Sequence, residues 1–373
     1  MDFCSGIGAG RLGLENVGMC CVAHSEIDLN SDLTYQLFFH DYSNLGDLTQ
    51  LNSDDLPDFD VMLAGFPCQT FSIVGKRAGL DDNHGQIIYY LTDILKQKKV
   101  PFFILENVKG LINHNKGKTL NFILSLLSEA GYDVYHQVLD SQYYGVPQMR
   151  QRVYFVGIRK DIKHMPFKFP QPILSKPIDD FLSDDRDYEF DVNNPTFQKY
   201  LASKYNKNQY NIEEILKNDH NIIDWRQSDL RLYDKKVPTL RTGRYGILYT
   251  KNGTLCKLSG YESLLLQGFS KKLAKKVIEH KLPDGKILSQ AGNAMTVTVI
   301  EQIGNNKQNL IDLGSQTAKN GFKNEEDICA KFNHWQSDEI AQKWLVIMGY
   351  DLSQIKSVKA VILSGYKADI NLQ

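Results

Sequence analysis

The chain has 373 residues, 42% hydrophobic and 23% charged, with 43 Lys and Arg against 44 Asp and Glu. That composition describes an ordinary soluble globular protein, long enough for two domains or one large domain with appendages. No apolar stretch reaches the ~20 residues of a membrane span, and the first residues do not read as a signal peptide. Six cysteines, at 4, 20, 21, 68, 256 and 329, show neither paired metal-ligand spacing nor a dense disulfide pattern. A reducing cytoplasm, no metal and no membrane partner are the expectations.

Residues 1 to about 160 alternate short apolar runs with helix-length segments. Asp2–Cys4 reads as a strand, and Ser5-Gly6-Ile7-Gly8-Ala9-Gly10 as a glycine-rich turn into a helical Arg11–Asn16. Glycine there permits tight turning and close approach of a ligand to the backbone. Cys20–Ala23 is the next strand candidate; Glu26, just beyond it, is placed to bind ribose hydroxyls, and Asp47 is a further acid at a strand end. Together they favour a nucleoside-bearing cofactor, where the glycine turn alone would be a weak signal.

Val61–Ala64 is followed by Phe66-Pro67-Cys68-Gln69, which puts Cys68 at the C-terminal mouth of a buried strand, after a proline that fixes the backbone. A buried, inert thiol is the commonest fate of a free cysteine. Ligands of open α/β sheets, however, bind in the crevice at the strand ends. Helix Gln86–Lys98 leads to Phe102–Leu105, whose successor Glu106-Asn107-Val108 falls in the same crevice. A carboxyl there could stay protonated by desolvation and donate a proton; the plainer reading is a surface acid. Helix Gly117–Ala130, strand Tyr132–Leu139, the arginine pair of Gln148-Met149-Arg150-Gln151-Arg152 and strand Val153–Ile158 complete the series. Arginines two apart at a strand start point to one side and can clamp a carbonyl or phosphate, although such pairs are most often surface. The alternation predicts an α/β fold with a doubly wound, mostly parallel sheet.

From 160 to 258 the chain turns polar, with a loop- and hairpin-rich texture. Gly246–Tyr249 and Thr254–Cys256 flank Asn252-Gly253, a type I′ turn signal. Between Arg226 and Leu282 stand 13 Lys and Arg against 4 Asp and Glu. By charge alone, a solvated surface and a phosphate-backbone contact fit equally well. A helical Ser259–Gln267 and the stretch Gln290–Ile303 then return to the first domain. The expected organisation is 1–159 cofactor-binding and catalytic, 160–258 recognition, 259–304 returning segment and 305–373 extension.

Taken in order, Phe3-x-x-Gly6-x-Gly8, Gly65-Phe66-Pro67-Cys68-Gln69, Glu106-Asn107-Val108, Gln148-x-Arg150-x-Arg152, Leu266-Gln267-Gly268-Phe269 and Gln290-Ala291-Gly292-Asn293-Ala294 resemble the DNA cytosine-C5 methyltransferases of bacterial restriction–modification systems, over about residues 2–303. The resemblance implies a Rossmann-like methyltransferase that uses S-adenosylmethionine. It implies that Cys68 attacks C6 of a flipped-out cytosine, that Glu106 contacts N3 and the exocyclic amine, and that Arg152, with Arg150 beside it, stabilises O2. Asn107 would hold the Pro67-Cys68 loop. For the cofactor it implies Phe3 and, flanking the adenine, Ile27 and Leu48; Gly6 and Gly8 at the methionine part; Glu26 at the ribose; Asp47 at the adenine amine; and Asn293 and Ala294 closing the methionine pocket. The stretch Thr70–Gly85 resembles the family's mobile loop, with Lys76 and Arg77 as phosphate contacts. Residues 160–258 correspond to the target-recognition domain, where Thr239 of Pro238-Thr239-Leu240, Arg241, Arg244 and Tyr245 are candidates for DNA contact. The implied partners are double-stranded DNA and a cognate restriction endonuclease, and the implied state is a monomer.

Two departures stand at the ends. Only about three residues precede the glycine turn where strands usually have ~5–6, which predicts a natural start upstream or a fragment. Beyond Gly304, Val358–Leu363 and Tyr366–Leu372 read as strands, with Lys367 and Asp369 in the second. Two readings stay open for this tail, the opening of a fused restriction endonuclease and a helical docking extension; no magnesium-dependent cleavage is expected. The rival functions are methylation of a cytosine in transfer RNA and a non-catalytic DNA-binding role.

Overall fold

The computed structural model describes residues 1–67, 87–182, 185, 188–204, 206, 210–226, 229–243, 245–305, 333–337, 341–342, 345, 353, 358–363 and 367–372. The chain forms two compact units, one of Met1–Ile162 with Phe167–Asn306 and the other of Lys163–Pro166 with Lys307–Gln373.

The first unit is built on strands β1 (Asp2–Phe3), β2 (His24–Ser25), β3 (Val61–Gly65), β4 (Phe102–Val108), β5 (Tyr132–Asp140), β6 (Gln148–Met149) and β7 (Gln151–Arg159), with helices α1 (Ala9–Glu15), α2 (Leu29–Phe39), α3 (Ile87–Lys98) and α4 (Lys118–Glu129) between them. Six of these strands form one sheet in the order β2-β1-β3-β4-β7-β5. The first four run parallel, and β7 is antiparallel to both of its neighbours.

The near-continuous apolar character of β3, β4 and β7 follows from burial of both faces. Successive side chains alternate between two cores. Leu63, Ile104, Tyr154, Val156 and Ile158 pack into one core with Leu14 of α1 and Phe38 of α2. Met62, Ala64, Phe103, Leu105, Val153 and Phe155 pack into the other with Ile88, Leu91 and Leu95 of α3 and Ile123 and Leu127 of α4. The sheet is thus sandwiched between helical layers, as the strand–helix alternation predicts.

The strand expected at Cys20–Ala23 begins later, at His24. Cys20 and Val22 are exposed, whereas His24 and Ser25 are buried and in register with Asp2 and Phe3. Burial against β1 decides the pairing, not the run of apolar letters.

Residues from 189 onward add α5 (Pro195–Leu201), α6 (Ile212–Ile215), β8 (Asn221–Asp224), β9 (Arg231–Asp234), β10 (Val237–Pro238), β11 (Ile247–Lys251) and β12 (Thr254–Lys257). Four of these strands make an antiparallel sheet in the order β12-β11-β8-β9, while β10 pairs in parallel with β6. The expected hairpin is present: Lys251 pairs with Thr254 around Asn252 (φ 51°) and Gly253 (φ 73°), the left-handed pair that a type I′ turn requires. One face of this sheet carries a small aromatic core of Phe190, Phe197 and Leu248, with Trp225 packed on it.

The chain then returns through α7 (Gly260–Leu266), α8 (Lys271–Glu279), α9 (Asp284–Asn293) and α10 (Val297–Gly304). Ser259 caps α7 in a reciprocal capping box with Glu262. Val297, Ile300 and Ile303 of α10 join the first core. In the second unit, β13 (Val358–Leu363) and β14 (Lys367–Leu372) form an antiparallel pair with Val358 opposite Leu372. Among the described residues no helix is long and apolar enough to cross a membrane.

Candidate active site

Strands β3 and β4 end side by side, with Gly65 opposite Glu106. Phe66 is buried and Pro67 exposed, directly before Cys68. Cys68, Lys76, Arg77 and Arg244 lie outside the described residues. Asn107, buried, spends both ends of its amide on this turn: Nδ2 donates to the Phe66 carbonyl at 3.0 Å, and Oδ1 accepts from the Val108 N–H at 2.8 Å. That ties the approach to Cys68 onto the end of β4.

The Glu106 carboxylate, about nine-tenths buried, stands 2.9 Å from Arg152 Nε. The approach is an ion pair rather than an aligned hydrogen bond, since Oε1 has no hydrogen-bond partner of proper geometry. Burial pushes the Glu106 pKa up, and the charges of Arg152 and Arg150 only partly oppose it. A carboxyl so placed can hold a proton at a pH where an exposed glutamate would have lost it.

Arg150 is directed elsewhere than the arginine pairing predicts. It falls between β6 and β7, where the strand is interrupted, so the two-residue rule for one strand face does not apply. Its guanidinium is buried and donates to the carbonyls of Leu240 (3.2 Å), Gly292 (3.2 Å) and Ala294 (2.8 Å). Burial and the nearby Arg152 push its pKa down to about 9, and the three acceptors keep it charged at neutral pH. Gln148 of the same motif is likewise structural, donating to Leu266 O at 2.8 Å and accepting from Leu240 N–H at 3.1 Å. Nothing in the letters separates these two from Arg152; their burial does.

At the other end of the crevice, Gly6 and Gly8 have φ of 56° and 78°, the left-handed backbone of a tight turn. The half-buried Glu26 accepts from the Gly6 N–H at 2.7 Å through Oε2 and from the Asp28 N–H at 2.8 Å through Oε1. Asn44 fixes the Glu26 backbone by accepting its N–H and donating to its carbonyl. Asp47 is exposed and caps the turn Leu48–Gln50, while Ile27 is 67% exposed. Phe3 and Leu48 are buried instead: Phe3 is fully enclosed, edge-on to Phe59, so both form the packed floor beneath the crevice and not an open ring face. Cys4 follows Phe3 at φ 51°, and burial pushes its thiol pKa up to about 12. Asn293 is exposed and accepts from the Thr242 hydroxyl at 2.8 Å, and Ala294 is buried behind it. Of the candidates near β10, Thr239 donates to the Met149 carbonyl at 2.6 Å, whereas Arg241 and Tyr245 are exposed.

Two-sided helical cover over a mostly parallel sheet, with a glycine turn and an acid at its first strand ends, defines a Rossmann-like α/β fold. Solved structures share the fold. Spodoptera frugiperda DNMT2 superposes with a TM-score of 0.58 at 19% identity, covering 81% of this chain and 97% of that one. An E. coli prophage-encoded putative DNA modification methyltransferase superposes with a TM-score of 0.55 at 21% identity, covering 83% and 98%.

Residues 1–309 match the family model described as C-5 cytosine-specific DNA methylase, and the chain belongs to that family. It is 35% identical to the type II methyltransferase M.NgoBI of Neisseria gonorrhoeae over 81% of this chain and 90% of that protein. It is 33% identical to M.HaeII of Haemophilus aegyptius over 85% and 94%. The protein is therefore an enzyme, a DNA (cytosine-5-)-methyltransferase.

Proposed function

We propose that the enzyme methylates C5 of a cytosine flipped out of a short, specific double-stranded DNA sequence, through a Cys68 adduct at C6. The observation that carries this reading is the buried Glu106–Arg152 pair at the mouth of the strand that leads into Cys68. Cytosine does not readily give up electrons from C5. Addition of the Cys68 thiolate to C6 makes C5 nucleophilic and sends charge toward N3 and O2. Glu106, whose protonated form burial favours, donates to N3, and Arg152 stabilises O2. Once C5 carries the methyl group, loss of the C5 proton to solvent expels the Cys68 thiolate, returns the N3 proton to Glu106 and restores the ring.

S-adenosylmethionine, when bound, supplies the electrophilic methyl group. The residues present fit it. Glu26 offers a positioned carboxylate beside a left-handed glycine turn, Asp47 and Ile27 are open to an adenine, and Asn293 stands at the returning end. Phe3 and Leu48 support that site from below, Ala294 backs Asn293, and Gly6 and Gly8 admit the methionine part.

The type II names of the relatives support a restriction–modification role with a cognate endonuclease, and the enzyme is expected to act as a monomer. Plasmid from a methylation-free host, treated with the protein and S-adenosylmethionine, should show 5-methylcytosine at one short sequence on bisulfite sequencing. Cys68→Ser should abolish that signal while cofactor affinity stays unchanged. Methyl transfer to RNA but not DNA, or full turnover by Cys68→Ser, would overturn the reading.

A further inference from the structure

Glu106 stands in the sheet between two neighbours of opposite kind. Tyr154 is in register with it on β7, and on β3 its partner is Gly65, which has no side chain. Residues paired across strands share one face of a sheet, so Gly65 leaves a notch against one flank of the carboxyl. Water in that notch would solvate the carboxylate and lower the cost of its charge. The notch is filled instead by a side chain from elsewhere. A Cβ on Gly65 would lie 3.1 Å from the Met295 Cε methyl and 3.7 Å from Glu106 Oε2, so methyl and carboxyl share the space the glycine leaves.

Met295 comes from a stretch of chain remote from both strands. It stands two residues past α9 and is buried. Its methyl also lies 3.4 Å from the place a Cβ on Gly10 of α1 would take. The Arg150 guanidinium fixes the preceding residue by donating to the Ala294 carbonyl at 2.8 Å. An unbranched thioether suits so narrow and irregular a gap. On the other flank, Tyr154 is buried and its ionisation is pushed up by that burial, so it stays neutral. The charged groups acting on Glu106 among the described residues are Arg152 and Arg150, and both favour its ionised form. Burial opposes them, and on the β3 side Met295 supplies it.

We infer that Met295 is a positioning residue for the proton step: its methyl keeps water from the Gly65 flank of Glu106 and so sets the pH at which the enzyme loses its acid. The inference deepens the proposed mechanism and rests on Glu106 being that acid.

The pH dependence of kcat/KM for duplex DNA, measured on the full chain at saturating S-adenosylmethionine, tests it. Met295→Ala opens the notch to water, and its alkaline limb should move to lower pH by about one unit, a tenfold change in the proton equilibrium. Met295→Leu keeps the apolar volume and should leave the limb where the wild type has it. A role confined to packing would lower the rate at every pH and leave the limb in place. A second readout is independent of how the alanine variant folds. In otherwise unaltered enzyme carrying carbon-13 at its methionine methyls, the Met295 resonance, assigned by its loss in Met295→Leu, should shift with pH through the midpoint of the alkaline limb. The same resonance should stay fixed in Glu106→Gln. A wild type without an alkaline limb, or a limb that Glu106→Gln retains, overturns Glu106 as the acid and the inference with it. A limb unmoved by Met295→Ala, or a Met295 methyl indifferent to pH while the limb persists, overturns the inference alone.

Discussion

At the scale of single residues, Glu106 shows how burial makes chemistry. Its folded pKa is raised above the ordinary value of 4.5 by desolvation. The protonated form is thus favoured in the folded state, and the associated stability is present below about pH 4.5. It is lost as pH rises through the raised value, because the unfolded chain then binds fewer protons than the folded one. Glu106→Gln cannot ionise, so relative to the wild type it should gain stability as pH rises above about 4.5 and through the raised value, read from urea midpoints. Its turnover should fall at least a hundredfold, the usual worth of a general acid. In the wild type, kcat/KM should fall on the alkaline side as Glu106 deprotonates. The acid was legible because an apolar run, Phe102–Leu105, delivers it to a strand end. A desolvated carboxyl was one of two readings open there, and the sequence did not decide between them, because desolvation depends on Arg152 and on what covers the site. Arg150 and Arg152 read alike in the sequence, and only the break between β6 and β7 sends one inward to carbonyls.

Elements with local signals were legible for local reasons. Asn252-Gly253 fixes its hairpin through left-handed backbone angles, and Ser259 with Glu262 starts α7 through a capping box. Strand β2 has no such signal, and two buried residues are too few to show a period. The helix end at Gly292 is a third kind of case, governed by close approach. A Cβ there would lie 2.5 Å from Thr242 N and 2.7 Å from the Arg241 carbonyl carbon, both backbone atoms that cannot rotate away. The glycine in Gln290-Ala291-Gly292-Asn293-Ala294 thus lets the segment after β10 lie on the end of α9. Gly292→Ala should cost roughly 1–3 kcal/mol in denaturant unfolding, as overpacking does. It should also weaken cofactor binding, since Asn293 and its bond to Thr242 move with the helix end.

Over the whole molecule, one buried cation joins three stretches of chain that are remote in sequence. Arg150 leaves the sheet between β6 and β7, reaches Leu240 just past β10, and reaches Gly292 and Ala294 at the end of α9. The sheet, the segment after β10 and the end of α9 are therefore joined through one guanidinium. This explains a motif position that resembles a second catalytic arginine yet faces the interior. Arg150→Leu keeps some bulk but strands three buried carbonyls, and Glu106 loses a nearby positive charge. Leaving buried partners unpaired costs about 1–3 kcal/mol per group, and breaking a buried charged contact about 3–5 kcal/mol. Arg150→Leu should accordingly lower unfolding free energy by roughly 3–5 kcal/mol, a large share of the ~5–15 kcal/mol of a typical domain. Because the junction is lost and not one element, the fluorescence of Trp225, isolated by Trp335→Phe and Trp344→Phe, should report unfolding at lower urea than the far-ultraviolet dichroism of the whole chain. Coincident transitions at an unchanged midpoint would show that the three stretches hold together without Arg150.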